Sequence, residues 1–242
     1  MQSTMFRRRI AFQIMLSQTI VNASQLLLQS AASFHSVLDI SINEQLNSMM
    51  GVLIDIFWAT SLYLQFLLSV NRFSIMTLKS SESKYERKLM QILLTTTWIA
   101  GIASGLANKM VNSGLTFEIT SLSWTMPTEE RHPVYVAIYD TQLFFLTCTY
   151  IICILIVCSL IYRRRRYEQE RSFIRPIEAR IFAQTSIETL TTLSSIYLWD
   201  AANECSEEYV IALVNFQWVF ICALPPYLTI ALIELVTSLQ QK

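Results

Sequence analysis

Glycine is scarce in this chain, with four residues in 242, and proline supplies five. Phosphate-cradling loops and β-sandwiches draw on more glycine than that. Charge is scarce as well. Asp, Glu, Lys and Arg make up 15% of the residues, against roughly 25% in an ordinary soluble domain, too little to cover a soluble surface. The net charge of zero gives no reason to expect nucleic acid or an acidic substrate. Cys148, Cys153, Cys158 and Cys222 lie in apolar runs, where a thiol acts as a small hydrophobe. Only Cys205 falls in a polar stretch, so no outer pair and no zinc spacing is available. His35 and His132 stand alone. There is no HExxH, GxSxG, GxxxxGK[ST] or GxGxxG. No catalytic residue, metal or cofactor is therefore expected, and the chain reads as a non-enzyme. Gln13, Gln18, Asn22 and Gln25 interrupt the first apolar stretch, which excludes a cleaved signal-peptide core.

What the sequence has in quantity is hydrophobic side chains, at 53%. A membrane span needs about 20 largely apolar residues to cross about 30 Å. Six stretches answer, at about 10–34, 49–71, 89–111, 139–162, 180–200 and 209–233. The run FFLTCTYIICILIVCSLIY from Phe144 to Tyr162 carries no charge. The first and fifth stretches are weaker, being rich in Gln, Ser and Thr. Charge placement supports them. With a cytoplasmic N-terminus and six spans, 16 of the 18 Lys and Arg fall on the inner side, and only Lys109 and Arg131 fall outside. Deleting either weak span would spoil that segregation, which the positive-inside rule expects. Both termini are then cytoplasmic, and the chain is one transmembrane domain over 1–242.

Several residues stand out within the spans. Asn71, Arg72 and Phe73 end the second span at its inner face. Arg72 either reaches for lipid phosphates or meets a cytoplasmic partner. Asp55 and Glu188 are charges at membrane depth, which are costly and usually face the bundle interior. Asp55 faces a water-filled ligand vestibule, or is an interfacial carboxylate reaching water. Gln184, Glu188, Thr191, Thr192 and Ser195 share one helical face, serving either a polar network between helices or ligand binding. Gly101 and Gly105, with Ala100 and Ser104, make a small-residue stripe for close helix packing. The sequon at Asn22 lies inside a span and is expected to stay unmodified. Arg163, Arg164, Arg165 and Arg166 follow an apolar span directly and read as a stop-transfer anchor, able to attract anionic lipid or contact a G protein.

The order of LLSVNRFSIM, a basic loop, a span with TTTW, a long loop, a span ending in RRRR and then PIEARIFAQTSIETL resembles the nematode serpentine chemoreceptors. It is most similar to class x, Srx, among the seven-helix G-protein-coupled receptors. The resemblance covers about residues 10–235. It matches Asn71-Arg72-Phe73 to the triplet at the inner end of helix three, Glu178 and Gln184 to the start of helix six, and Asn22 to helix two. The implied fold is an all-α polytopic membrane bundle of six helices, corresponding to helices two to seven. The product is expected to lack the first helix, by truncation or a mis-set start. Its Gln- and Asn-rich segment from Gln13 to Gln29 would then face lipid and lower stability. LPPYLTI stands where many relatives have Asn-Pro-x-x-Tyr, and the usual outer disulfide has no cysteine to form it. Amine receptors carry a carboxylate eighteen residues before the triplet Arg. Asp55 is seventeen before Arg72, about 100° away on a helix, so an amine receptor is not expected.

The implied function is sensing a small extracellular ligand and signalling to a heterotrimeric G protein in the plasma membrane of a sensory cell. Candidate G-protein contacts are Asn71, Arg72, Phe73 and Arg163 to Arg166; candidate ligand or network residues are Asp55, Gln184 and Glu188. A solute transporter or channel, or a non-signalling receptor fragment, is the alternative.

Overall fold

A computed structural model describes residues 2–38, 40, 42–77, 84–118, 123–125, 132–166, 176–205, 210 and 213–223. Within them the chain forms α1 (Gln2–Val37), α2 (Glu44–Thr77), α3 (Lys84–Met110), β1 (Thr116–Glu118), β2 (Ser123–Thr125), α4 (Pro133–Arg166) and α5 (Pro176–Cys205). An apolar helix α6 follows at Leu213–Ala223. The result is an all-α membrane bundle with one small hairpin.

Among the described residues three helices are long and apolar enough to cross a membrane: α2 over Glu44–Ile75, α3 over Lys88–Met110 and α4 over Pro133–Tyr162. Of the most apolar window, 61% is buried in α2, against 11% in α3 and 22% in α4. So α2 is the central post, with α1, α3, α4 and α5 packed around it. The faces that α3 and α4 turn outward carry Ile92, Ile99, Leu106, Phe144, Ile151 and Leu155, which suit lipid.

α1 and α5 are long, at 36 and 30 residues, but less apolar. In α1 the amides from Gln18 to Gln29 point inward, while Gln13 is exposed. Gln18, Asn22, Gln25 and Gln29 are buried, while Phe12, Leu16, Ile20 and Leu27 are exposed. Gln18 Nε2 donates to Ser61 Oγ of α2 (2.6 Å) and to Asn22 Oδ1 (3.3 Å). Trp218 Nε1 of α6 donates to Gln25 Oε1 (3.1 Å). This corrects the expectation that the Gln- and Asn-rich segment faces lipid. A hydrocarbon solvent inverts the usual pattern, so amides seek partners between helices. Asn22 is buried, as its place inside a span requires.

Hydroxyls in the bundle return their protons to their own helix: Thr60 to Ile56 O (2.7 Å), Thr149 to Phe145 O (2.8 Å) and Thr189 to Thr185 O (2.8 Å). Such bonds let Thr sit in apolar surroundings at little cost.

The small-residue stripe works inside the bundle. A Cβ at Gly101 would strike Thr60, and one at Gly105 would strike Ile56; the Ile56 and Val52 carbonyls lie 3.1 Å from the respective positions. The two glycines let α3 lie against the backbone of α2, as the spacing predicts.

At its end α3 reverses through Asn112, whose φ is 53°. Asparagine tolerates this left-handed conformation, and it lets Ser113 N donate to Asn108 O (3.0 Å). The chain then enters β1, which pairs antiparallel with β2, Phe117 opposite Trp124.

Candidate functional site

The hairpin closes one end of the bundle. Asn47 of α2 grips β1 with both ends of its amide: Nδ2 donates to Phe117 O (2.9 Å) and Oδ1 accepts from Phe117 N (2.9 Å). Trp124 N donates to Asn215 Oδ1 of α6 (3.5 Å). Trp124 is buried, and its ring meets Phe117 edge-on at 5.2 Å. The hairpin is fastened by these polar contacts and by Ala32, Met50, Ile54 and Cys222 packed around it. Gly51 allows the fit, because a Cβ there would collide with the Leu115 carbonyl.

Beneath the hairpin lies a cavity of about 90 Å³. Its polar groups are Asp55 from α2, Asn108 from α3, Gln142 from α4 and Ser195 from α5. Its aromatic wall comes from Trp58, Trp199 and Trp218 on one side and from Tyr135 and Tyr139 on the other. Trp218 meets Trp58 edge-on at 5.3 Å and Trp199 at 6.0 Å, and its bond to Gln25 fixes its orientation. Tyr135 and Tyr139, one turn apart on α4, stack at 6.2 Å. Mostly apolar walls with a few convergent polar groups are the usual make-up of a small-molecule site.

Asp55 is 9% exposed and Asn108 is 5% exposed, so both are buried within the bundle. The Asn108 side chain and the Leu115 backbone lie beside the carboxylate. Its Oδ2, and Oδ1 of Asn108, have no hydrogen-bond partner in the chain. Lys109, next in sequence, is exposed and bonds to Ser48 Oγ. The cavity wall contains no Lys or Arg among the described residues.

Glu188 does not line this cavity. It lies seven residues from Ser195 on α5, about 10 Å along the axis, and is 3% exposed. One turn away, Thr192 accepts from Gln65 Nε2 of α2 (3.4 Å) and donates to the Glu188 carbonyl (2.8 Å). The buried α5 face is Thr185, Glu188, Thr189, Thr192 and Ser195, while Thr191 sits at its half-buried edge. Its upper part lines the cavity and its lower part is a helix contact. Gln184 is on the α5 backbone, but its side chain lies outside the described residues, as do those of Arg163, Arg164, Arg165 and Arg166 at the end of α4.

At the far end of α2, Asn71 and Arg72 are buried, at 5% and 4% exposure, and Phe73 is half-buried. Arg72 is therefore enclosed by the bundle. Asp55 and Arg72 stand near opposite ends of one helix, about 26 Å apart along its axis.

Sequence reasoning missed most of the cavity wall. Helical spacing carries the signal: Trp58 is three residues from Asp55, Trp199 four from Ser195, and Tyr135, Tyr139 and Gln142 recur at i, i+4 and i+7. Among the described residues no group of three or more His, Cys, Asp or Glu converges to hold a metal ion.

Squid rhodopsin is similar in fold, with a TM-score of 0.70, over 90% of this chain and 67% of the rhodopsin chain. Identity is 11%, so the likeness is one of fold. No curated protein matches the sequence. The sequence profile described as serpentine type 7TM GPCR chemoreceptor Srx matches residues 4–230, nearly the whole chain. This multi-pass membrane protein belongs to the Srx family of serpentine G-protein-coupled chemoreceptors.

Proposed function

We propose that this chain is a chemoreceptor that binds a small extracellular ligand in the cavity beneath the hairpin and signals to a cytoplasmic heterotrimeric G protein at the opposite end. The observation that carries the reading is the cavity itself, walled by α2 to α6, with a buried carboxylate and a tryptophan cluster meeting in it. A ligand there touches five helices at once, so it can favour one arrangement of them over another, and only such differential affinity transmits a signal. The central helix joins Asp55 to Arg72, and both ends of the path lie on one rigid element.

The hairpin end is then extracellular, and both termini are cytoplasmic with the basic clusters, Arg163 to Arg166 included. The six helices correspond to helices two to seven of the family, and the domain spans are those read from the sequence. Asn71, Arg72, Phe73 and the four arginines make up the G-protein face. Opening that face must expose Arg72, which supports a two-state switch.

The test is a cell assay of G-protein activation, with surface labelling in parallel, against extracts fractionated for small molecules. Ser195→Trp fills the cavity and should abolish ligand responses at unchanged surface expression. Arg72→Ala should lower coupling more than surface expression. Undiminished responses in the Ser195→Trp variant would place the ligand elsewhere.

A further inference from the structure

The chemistry of the cavity goes beyond the existence of a ligand and bears on its class. Two acceptor atoms, Asp55 Oδ2 and Asn108 Oδ1, are buried in its wall without a hydrogen-bond partner in the chain. Buried polar atoms in native proteins are nearly always satisfied, so each exception needs an explanation. Asp55 and Asn108 come from neighbouring helices, share a side-chain hydrogen bond, and both line the cavity. Both unpartnered atoms are acceptors, and one belongs to a carboxylate. Their surroundings provide no cation, since no Lys or Arg lines the cavity among the described residues and Lys109 turns away to Ser48.

The rest of the wall supplies aromatic faces. Trp58, Trp199 and Trp218 meet edge-on, so their ring planes take different directions around one space. Ring faces carry partial negative charge and attract ammonium groups within about 6 Å, tryptophan most strongly. A carboxylate and a set of indole faces around one cavity favour the same sign of charge, and no Lys or Arg among the described residues of the wall opposes it.

We propose that the cavity is a site for a small organic cation, an amine or quaternary ammonium compound, with the Asp55 carboxylate as counter-ion, the Asn108 carbonyl as a second acceptor and the tryptophan cluster against the cation's apolar body. This rests on the reading of the cavity as the ligand site. It also revises the expectation drawn from the one-residue offset between Asp55 and the carboxylate of amine receptors. The offset turns Asp55 toward Asn108 and Leu115, and that direction still opens on the cavity. The comparison of spacing addressed register along α2, whereas the sign of the site is set by what the neighbouring helices contribute.

The test uses the full chain in lipid nanodiscs and three probes of one shape: 2-phenylethylamine, 2-phenylethanol and 3-phenylpropionate. Ligand-observed NMR titrations read their binding. The amine should bind saturably, roughly tenfold or more tighter than the alcohol, and the carboxylate should not bind. Asp55→Asn should reduce amine binding by about tenfold or more and leave the alcohol unchanged. Asparagine keeps the size of the side chain and an acceptor for the Asn108 and Leu115 contacts, so that variant should fold. Trp199→Leu provides a second variant that keeps Asp55, and it should weaken the amine selectively over the alcohol. Equal binding of amine and alcohol, tighter binding of the carboxylate, or amine binding indifferent to Asp55→Asn and Trp199→Leu alike would overturn the proposal. Ser195→Phe separates the two readings. Alcohol or carboxylate binding that this variant abolishes would keep the cavity as the ligand site and discard the cation. Absence of saturable binding by all three probes would count against both.

Discussion

Asn47 meets the hairpin with both ends of its amide, and its two bonds to Phe117 tie β1 to the first turns of the central helix. Asn47→Ala leaves the Phe117 N–H and C=O without those partners, at a cost of about 1–3 kcal/mol for each group left buried. The expected result is a lower melting temperature in detergent and faster hydrogen exchange at the Phe117 amide, with α1 unaffected. Unchanged exchange at Phe117 would mean that the aromatic packing of Trp124 suffices. The sequence made no mention of this device, because Asn47 and Phe117 are 70 residues apart and nothing local to either marks the pairing. Asp55 was legible as a charge at depth, but its unpartnered oxygen and the indoles around it were not, since they depend on how five helices come together. Arg72 was legible as an arginine at the end of a helix. Its burial was not, because position along a helix says nothing of what encloses it.

Helix by helix, the elements reveal why some of the fold could be read directly. Charge segregation pointed to six helices even where hydropathy was weak, since basic residues flank spans on one side. α1 and α5 are weak by hydropathy for the same reason that they are well packed: their polar residues face neighbouring helices. That inward facing could not be deduced from α1 alone, where a Gln stripe reads equally as a partner face or a lipid liability. The Gly101–Gly105 stripe could be read, because small residues four apart admit a close helix approach and little else. Gly101→Val should force α3 away from Thr60 and the Ile56 carbonyl and cost about 1–3 kcal/mol or more through overpacking. Ala103→Val, on an exposed position of the same helix, should cost far less. Thermal stability of the two variants, measured side by side in detergent, checks this; equal losses would remove the stripe from the α2–α3 contact. The short hairpin escaped the sequence reading because each strand has three residues, below the length at which alternation is distinguishable from loop.

Across the whole molecule, a cavity toward one end and an enclosed arginine toward the other are joined by one central helix. The account orients that axis across the membrane with the hairpin outside. A glycosylation tag placed in residues 126–131 should be modified in microsomes, and tags at either terminus should not; a modified N-terminal tag would reverse the orientation. In the proposed function, Arg72 is the residue through which the bundle reaches its partner. Because receptors of this kind exchange between arrangements even without ligand, coupling can be measured before any ligand is known. The direct measurement is basal nucleotide exchange on purified heterotrimeric G proteins of each class by the chain in nanodiscs, beside its Arg72→Ala variant. The account predicts that the parent accelerates exchange on at least one class over empty nanodiscs, and that Arg72→Ala removes the acceleration while the fold is retained. Acceleration that persists undiminished in Arg72→Ala, or a folded parent that stimulates none of the classes, would contradict it.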